Sequence, residues 1–125
     1  MILDTNALSA LADGEEGLLA VLRKDLRHHL PVIVLGEYRY GLKRSRERAS
    51  REQWLDELES YSDLLDITSD SARFYAQIRE DLRTLGKPIP ENDVWIAALC
   101  REHGLAIVSR DSHFDYVPDI KRVPW

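Results

Sequence analysis

The order of apolar and polar positions divides this chain into short, alternating elements. MIL opens as an apolar strand and runs straight into Asp4. Residues 5–12 (TNALSALA) fit a short helix that Asp13-Gly14 breaks. Residues 15–29 carry Leu18, Leu19, Leu22 and Leu26 on one side and predict an amphipathic helix closed by Arg27, His28 and His29. The continuous run PVIVL (31–35) predicts a strand covered on both faces. Helices are expected over 36–47 and 51–62, the second with Trp54, Leu55, Leu58 and Tyr61 as its inner face. LLDI (64–67) predicts a brief strand. Ser69 or Asp70 is placed to cap a helix that stops at Gly86. A further helix lies between Pro90 and Gly104, followed by the strand LAIVS (105–109) and an edge strand in IKRV (120–123). Strands separated by helices imply an α/β architecture: a mostly parallel sheet with helices on both faces.

In the helix after Pro90 one residue interrupts the pattern. PENDVWIAALC wound at 3.6 residues per turn puts Ile96, Ala97 and Cys100 on one apolar stripe, and Asp93 on the same stripe one turn back. A carboxylate at the top of a core-facing stripe needs a destination other than oil. Parallel α/β sheets provide one, since ligands bind beyond the carboxyl ends of the strands. Asp4 ends the first strand, Glu37 lies two residues past PVIVL, and Asp111 lies just past LAIVS. Asp93 opens a helix whose N-terminal dipole favours an anion. Four acids scattered along the sequence are thus expected at one edge of the sheet. Asp66, Asp70, Asp115 and Asp119 sit among turn and capping signals and are read as structural, with Asp115 left open.

Such a cluster needs a counter-charge. At ~6 Å and an effective dielectric of ~20, each ionised pair repels by roughly 3 kcal/mol. The group must take up protons or bind a cation, and an all-oxygen donor set suits Mg²⁺ or Mn²⁺. No Cys/His spacing for zinc is present, no Ser/His/Asp or Cys/His arrangement competes, and Gly14 and Gly17 bracket two glutamates that would repel a phosphate. A divalent ion held by carboxylates points to phosphodiester hydrolysis.

Composition narrows the class further. A chain of 125 residues with 44% hydrophobic content suits one domain, 1–125, with its own core. The single cysteine, Cys100, reads as a small buried hydrophobe and suits a reducing compartment. No membrane span or export signal is evident, which predicts a soluble cytoplasmic protein. With 17 Lys and Arg against 22 Asp and Glu, the net charge of −5 does not advertise nucleic-acid binding, so any such role must be local. The densest basic run is RYGLKRSRERASR (39–51), just beyond Glu37. There Arg39, Lys43, Arg44 and Arg46 are candidates to track an RNA backbone toward the acids, the alternative being a solvated helix face. Tyr38, Tyr40 and Trp95 are candidates for base stacking or for core and interface packing.

Four blocks, ILDTNALSAL, VLGEYRYGL, NDVWIAALC and IVSRDSHFD, stand in order over nearly the whole chain. Together they resemble the signature blocks of PIN-domain ribonucleases, most closely the VapC-type toxins of VapBC toxin–antitoxin pairs. The resemblance implies a three-layer α/β/α sandwich around a mostly parallel sheet, usually dimeric, and a Mg²⁺-dependent endoribonuclease. Carried over by position, Asp4, Glu37, Asp93 and Asp111 are the acidic catalytic set, with Asp4 and Asp93 as metal ligands. Asn6, Asn92 and Ser109 are the polar residues that orient ligands or water. The expected partners are RNA, a second copy of the chain, and a small VapB-type antitoxin that brings a basic side chain to the acids. Gly41, one turn beyond Glu37, is read as permitting close packing. Two rivals are a non-catalytic module on the same scaffold and a phospho-accepting receiver domain, the latter supported only by Asp66 and Lys121.

Overall fold

The structure is a computed structural model and describes every residue except Leu26. Among the described residues, five short strands form one wholly parallel sheet: β1 (Ile2–Leu3), β2 (His29–Pro31), β3 (Asp63–Leu65), β4 (Ile107–Val108) and β5 (Arg122–Val123), in the spatial order β3-β2-β1-β4-β5. Six α-helices connect them: α1 (Thr5–Ala12), α2 (Glu16–Leu22), α3 (Val32–Leu42), α4 (Arg48–Tyr61), α5 (Ser69–Leu85) and α6 (Glu91–His103). The arrangement is the α/β/α sandwich that the pattern and the resemblance implied. The sheet centre is dry: Ile2, Leu30, Ile107 and Val108 are completely buried. Helix residues Leu8, Leu18, Leu55, Ile78 and Leu99 close over it.

Register fixes where the polar residues emerge. Ile2 pairs with Ile107 and Leu3 with Val108, so β1 and β4 end level with each other. The next residue on each strand is Asp4 on one side and Ser109 on the other. The sequence places them 105 positions apart, and the sheet places them side by side.

Several element boundaries differ from the sequence reading. PVIVL is not a strand: β2 ends at Pro31, and Val32 already begins α3. Burial explains the choice. Val34, Leu35, Tyr38 and Leu42 are buried while Val32 is 37% exposed, a helical period that a four-residue apolar run cannot reveal. Pro31 suits the start of the helix because its missing N–H would have been an orphan there. The helix expected over 15–29 ends at Leu22. His29 belongs to β2, whereas the His28 ring meets the carbonyl of Leu22, the last residue of α2, at 3.2 Å, so of the two histidines only His28 stays at the helix end. Leu26, assigned to that helix, lies outside the described residues. The cap of α5 is Thr68, not Ser69 or Asp70, in a reciprocal capping box with Ser71. Gly86 and Gly104 end α5 and α6 in the left-handed conformation, as anticipated (φ 63° at each). A side chain at Gly41 would meet nothing within 4 Å, so close packing is not the reason for glycine there. Cys100 is buried, and burial pushes its thiol up to about 12, as expected of a small hydrophobe.

Candidate active site

Asp4, Asn6, Glu37, Asp93 and Asp111 line one cavity of about 390 Å³ at the carboxyl edge of the sheet, together with Thr5 and Ser9. Each arrives from a different element. Asp4 ends β1 and caps α1, its Oδ1 accepting from the Ala7 amide at 2.9 Å. Glu37 comes from the second turn of α3, not from a loop after a strand. Because α3 starts at the carboxyl end of β2, its early turns still overhang the same edge. Asp93 sits in the first turn of α6, above Ile96, Ala97 and Cys100, which are all buried. Asp111 follows β4 and precedes a 3₁₀ turn, Ser112–Tyr116.

Asp4 is the most enclosed of the four, only 3% exposed. Its Oδ2 accepts from the Ser109 hydroxyl and from Asn6 Nδ2 at 2.8 Å. Asn6 Nδ2 also reaches Asp111 Oδ2 at 2.9 Å, and its Oδ1 accepts from the Arg110 amide at 3.1 Å. One amide therefore ties the first acid to the fourth. Ser109 Oγ accepts from the Asp111 amide at 2.9 Å, fixing the turn that carries that acid. Glu37 is held at both oxygens: the Thr5 hydroxyl donates to Oε2, and Asn92 Nδ2 donates to Oε1 at 2.8 Å. Asn6, Asn92 and Ser109 thus all orient carboxylates. Thr5 does the same, and no motif in the sequence singled it out.

Electrostatics bear the marks of crowding. Burial above all, with added repulsion from Asp111 and Asp93, raises the Asp4 carboxyl to about 6, although the bonds from Ser109 and Ala7 oppose the shift. Asp93 is raised too, chiefly by burial and then by Glu37 and Asp111, against the opposing influence of His113. His113 Nε2 lies 2.8 Å from Asp93 Oδ2. That nitrogen is buried, and its contact with the carboxylate is short but poorly aligned as a hydrogen bond.

Among the described residues, no three His, Cys, Asp or Glu side chains already stand as a finished ligand set for a metal ion. The donors nevertheless suit a hard divalent cation: all are carboxylate oxygens, and Asp4 and Asp93 have proton affinities raised by burial and, to a lesser degree, by repulsion from neighbouring acids. A cation entering the cavity would relieve that repulsion.

Other candidates lie elsewhere. Asp115 points to Arg122 on β5 in a two-pronged pair at 2.9 and 2.8 Å, which makes it structural. Arg39 reaches across to Asp56 and Glu59 on α4, both at 2.8 Å, and is neutralised there. Lys43, Arg44 and Arg46 are exposed and, among the described residues, have no acidic partner within ion-pair distance. Tyr38 is buried against Trp54, whereas Trp95 is half-buried with one ring face covered by Tyr75, centroids 4.0 Å apart. Tyr40 remains 71% exposed. Asp66 and Lys121 are exposed and absent from the cavity walls, which removes the support for a receiver domain.

The chain belongs to the PIN-domain family, whose model matches residues 1–120. Within that family its similarity runs to the VapC ribonucleases. It is 33% identical over 115 residues to Ribonuclease VapC5 of Mycobacterium tuberculosis, covering 90% of this chain and 84% of that protein. Among solved structures it superposes on DNA-bound VapBC from Salmonella typhimurium with a TM-score of 0.87 and 25% identity, covering 99% of this chain and 96% of that one. FitAcB from Neisseria gonorrhoeae is similar over 97% of this chain and 94% of its own, with a TM-score of 0.80 and 27% identity.

Proposed function

We propose that this protein is a divalent-metal-dependent endoribonuclease, the toxin of a type II toxin–antitoxin pair. The observation that carries the reading is the single cavity walled by Asp4, Glu37, Asp93 and Asp111. The curated relatives called ribonucleases support the nuclease assignment. Asp4 and Asp93, the two acids whose protonation is favoured by burial and by neighbouring carboxylates, are the ligands we assign to Mg²⁺ or Mn²⁺. Such an ion supplies a water acidified enough to attack a phosphodiester, and positive charge for the transition state. The protein's own part is to hold carboxylates in place. Ser109 and Asn6 fix Asp4, Asn6 steadies Asp111, and Thr5 with Asn92 prevents Glu37 from turning. Glu37 and Asp111 face the same space and can accept hydrogen bonds from water entering it.

The exposed Lys43, Arg44 and Arg46 lie just past the end of the helix that carries Glu37. We assign them to the RNA backbone, where each would neutralise a phosphate without reading sequence. The partner we infer is a VapB-type antitoxin: solved relatives are VapBC complexes, and a guanidinium entering the acidic cavity would balance its charge as a cation does.

The expected result is RNA cleavage that EDTA abolishes and that excess Mg²⁺ or Mn²⁺ restores, read as product on a gel. Cleavage that continues in EDTA would reject the metal-dependent reading.

A further inference from the structure

His113 stands beside the acids without a part in the hydrolysis described so far. It follows Asp111 by two residues on the 3₁₀ turn, and its Nε2 reaches to 2.8 Å from Asp93 Oδ2. The turn is anchored by its neighbour Phe114, which is completely buried and whose ring lies 4.8 Å from the imidazole. The imidazole is only partly exposed, and Nε2 is sealed from solvent. His113 is also not among the residues that wall the acidic cavity. It therefore meets Asp93 from outside the cavity and takes up one of the two carboxylate oxygens. Contact at one oxygen restricts rotation about the Cβ–Cγ bond. The carboxylate is then presented to the cavity in one orientation, although Asp93 lies at a helix start where no other side chain of the described residues holds it.

We infer that His113 is a positioning residue for Asp93, preparing that carboxylate to bind a divalent cation. The inference rests on the reading of the cavity as a cation site. It assigns His113 the role that outer partners have in metal sites generally: they touch a ligand, not the ion, and their loss weakens binding by about 10- to 100-fold. The turn Ser112–Tyr116 thereby couples two acids, since it begins immediately after Asp111 and delivers His113 to Asp93.

The test is Mn²⁺ affinity by calorimetry on the RNA-free protein, for wild type and the variants H113L, H113N, H113Q and D93N. Melting temperatures without metal check that each variant folds. D93N is expected to lose most of the binding. H113L is expected to bind Mn²⁺ about 10- to 100-fold more weakly. H113Q keeps an N–H at a reach similar to Nε2 and recovers most of the affinity. H113N, whose amide is shorter, does not, and it gives the same reading should H113L fail to fold. Wild-type or tighter affinity in H113L or H113N, with D93N impaired, overturns the role of His113 alone. If D93N also binds like wild type, the cation reading falls, and the role of His113 with it.

Discussion

Replacing Asp4 by Asn is expected to abolish RNA cleavage while leaving the metal-free protein at least as stable as the parent. The activity loss follows from removing the most buried charge of the cavity. Several kcal/mol of transition-state stabilisation depend on it, so the rate should fall by about 10³-fold or more. The stability result has the opposite sign for a physical reason. Asp4 is raised from 3.8 to about 6 in the folded protein, so folding favours its protonated form. That contribution to stability is fully present below the unfolded value and is lost as pH rises through about 6. At pH 7.5 the ionised, buried carboxylate costs on the order of 3 kcal/mol. Asn removes this cost and remains a good helix cap at the start of α1. Part of the gain is returned, because the new amide must face Ser109 and Asn6, which now donate to Oδ2. Thermal unfolding without metal, alongside a cleavage assay, checks both halves. A variant that loses activity and also melts far below the parent would show that Asp4 is structural.

The second large effect is an acid limit on metal binding. Only ionised Asp4 can hold a cation, so protons compete with Mg²⁺ or Mn²⁺ below about pH 6. Affinity should fall roughly tenfold per pH unit below that point and be insensitive to Asp4 above it. Asp93, raised by burial and by Glu37 and Asp111, steepens the fall. Metal-free stability runs the other way, gaining from Asp4 protonation as pH drops from 7 toward 5. The metal-induced rise in melting temperature should therefore shrink on acidification. Calorimetric titrations of Mn²⁺ at pH 5, 6 and 7.5 measure the effect. Affinity independent of pH across that range would mean that Asp4 is not a ligand.

The four acids were legible in the sequence because two end strands, and a third opens a helix on what should be its core face. Glu37 was found for a partly mistaken reason. PVIVL is apolar and β-branched, so it reads as a strand, yet the chain turns into a helix at Val32. The residue still reaches the cavity because helix and strand leave the sheet at the same edge. Ser109 and Asn6 were named only through the resemblance to PIN-domain ribonucleases, and their bonds to Asp4 and Asp111 needed the register of β1 against β4. Thr5 and His113 were not legible. Thr5 looks like any first-turn helix residue, and its bond to Glu37 spans 32 positions. His113 sits in a 3₁₀ turn too short to leave a periodic signal, and its partner is on another helix. Asp115 shows the converse. It lies in the turn that follows Asp111, and only the fold shows that Arg122 claims it. Charge alone also misleads in the basic run, where Arg39 is tied to α4 while Lys43, Arg44 and Arg46 have no acidic partner among the described residues.

The proposed function requires Asp4, Glu37, Asp93 and Asp111 to hold a divalent ion in their shared cavity. A crystal soaked in Mn²⁺ and measured for anomalous scattering tests it most directly. A manganese peak is expected inside the cavity with oxygens of Asp4 and Asp93 as ligands. An empty cavity at saturating Mn²⁺, or a peak bound only by residues elsewhere, would contradict it.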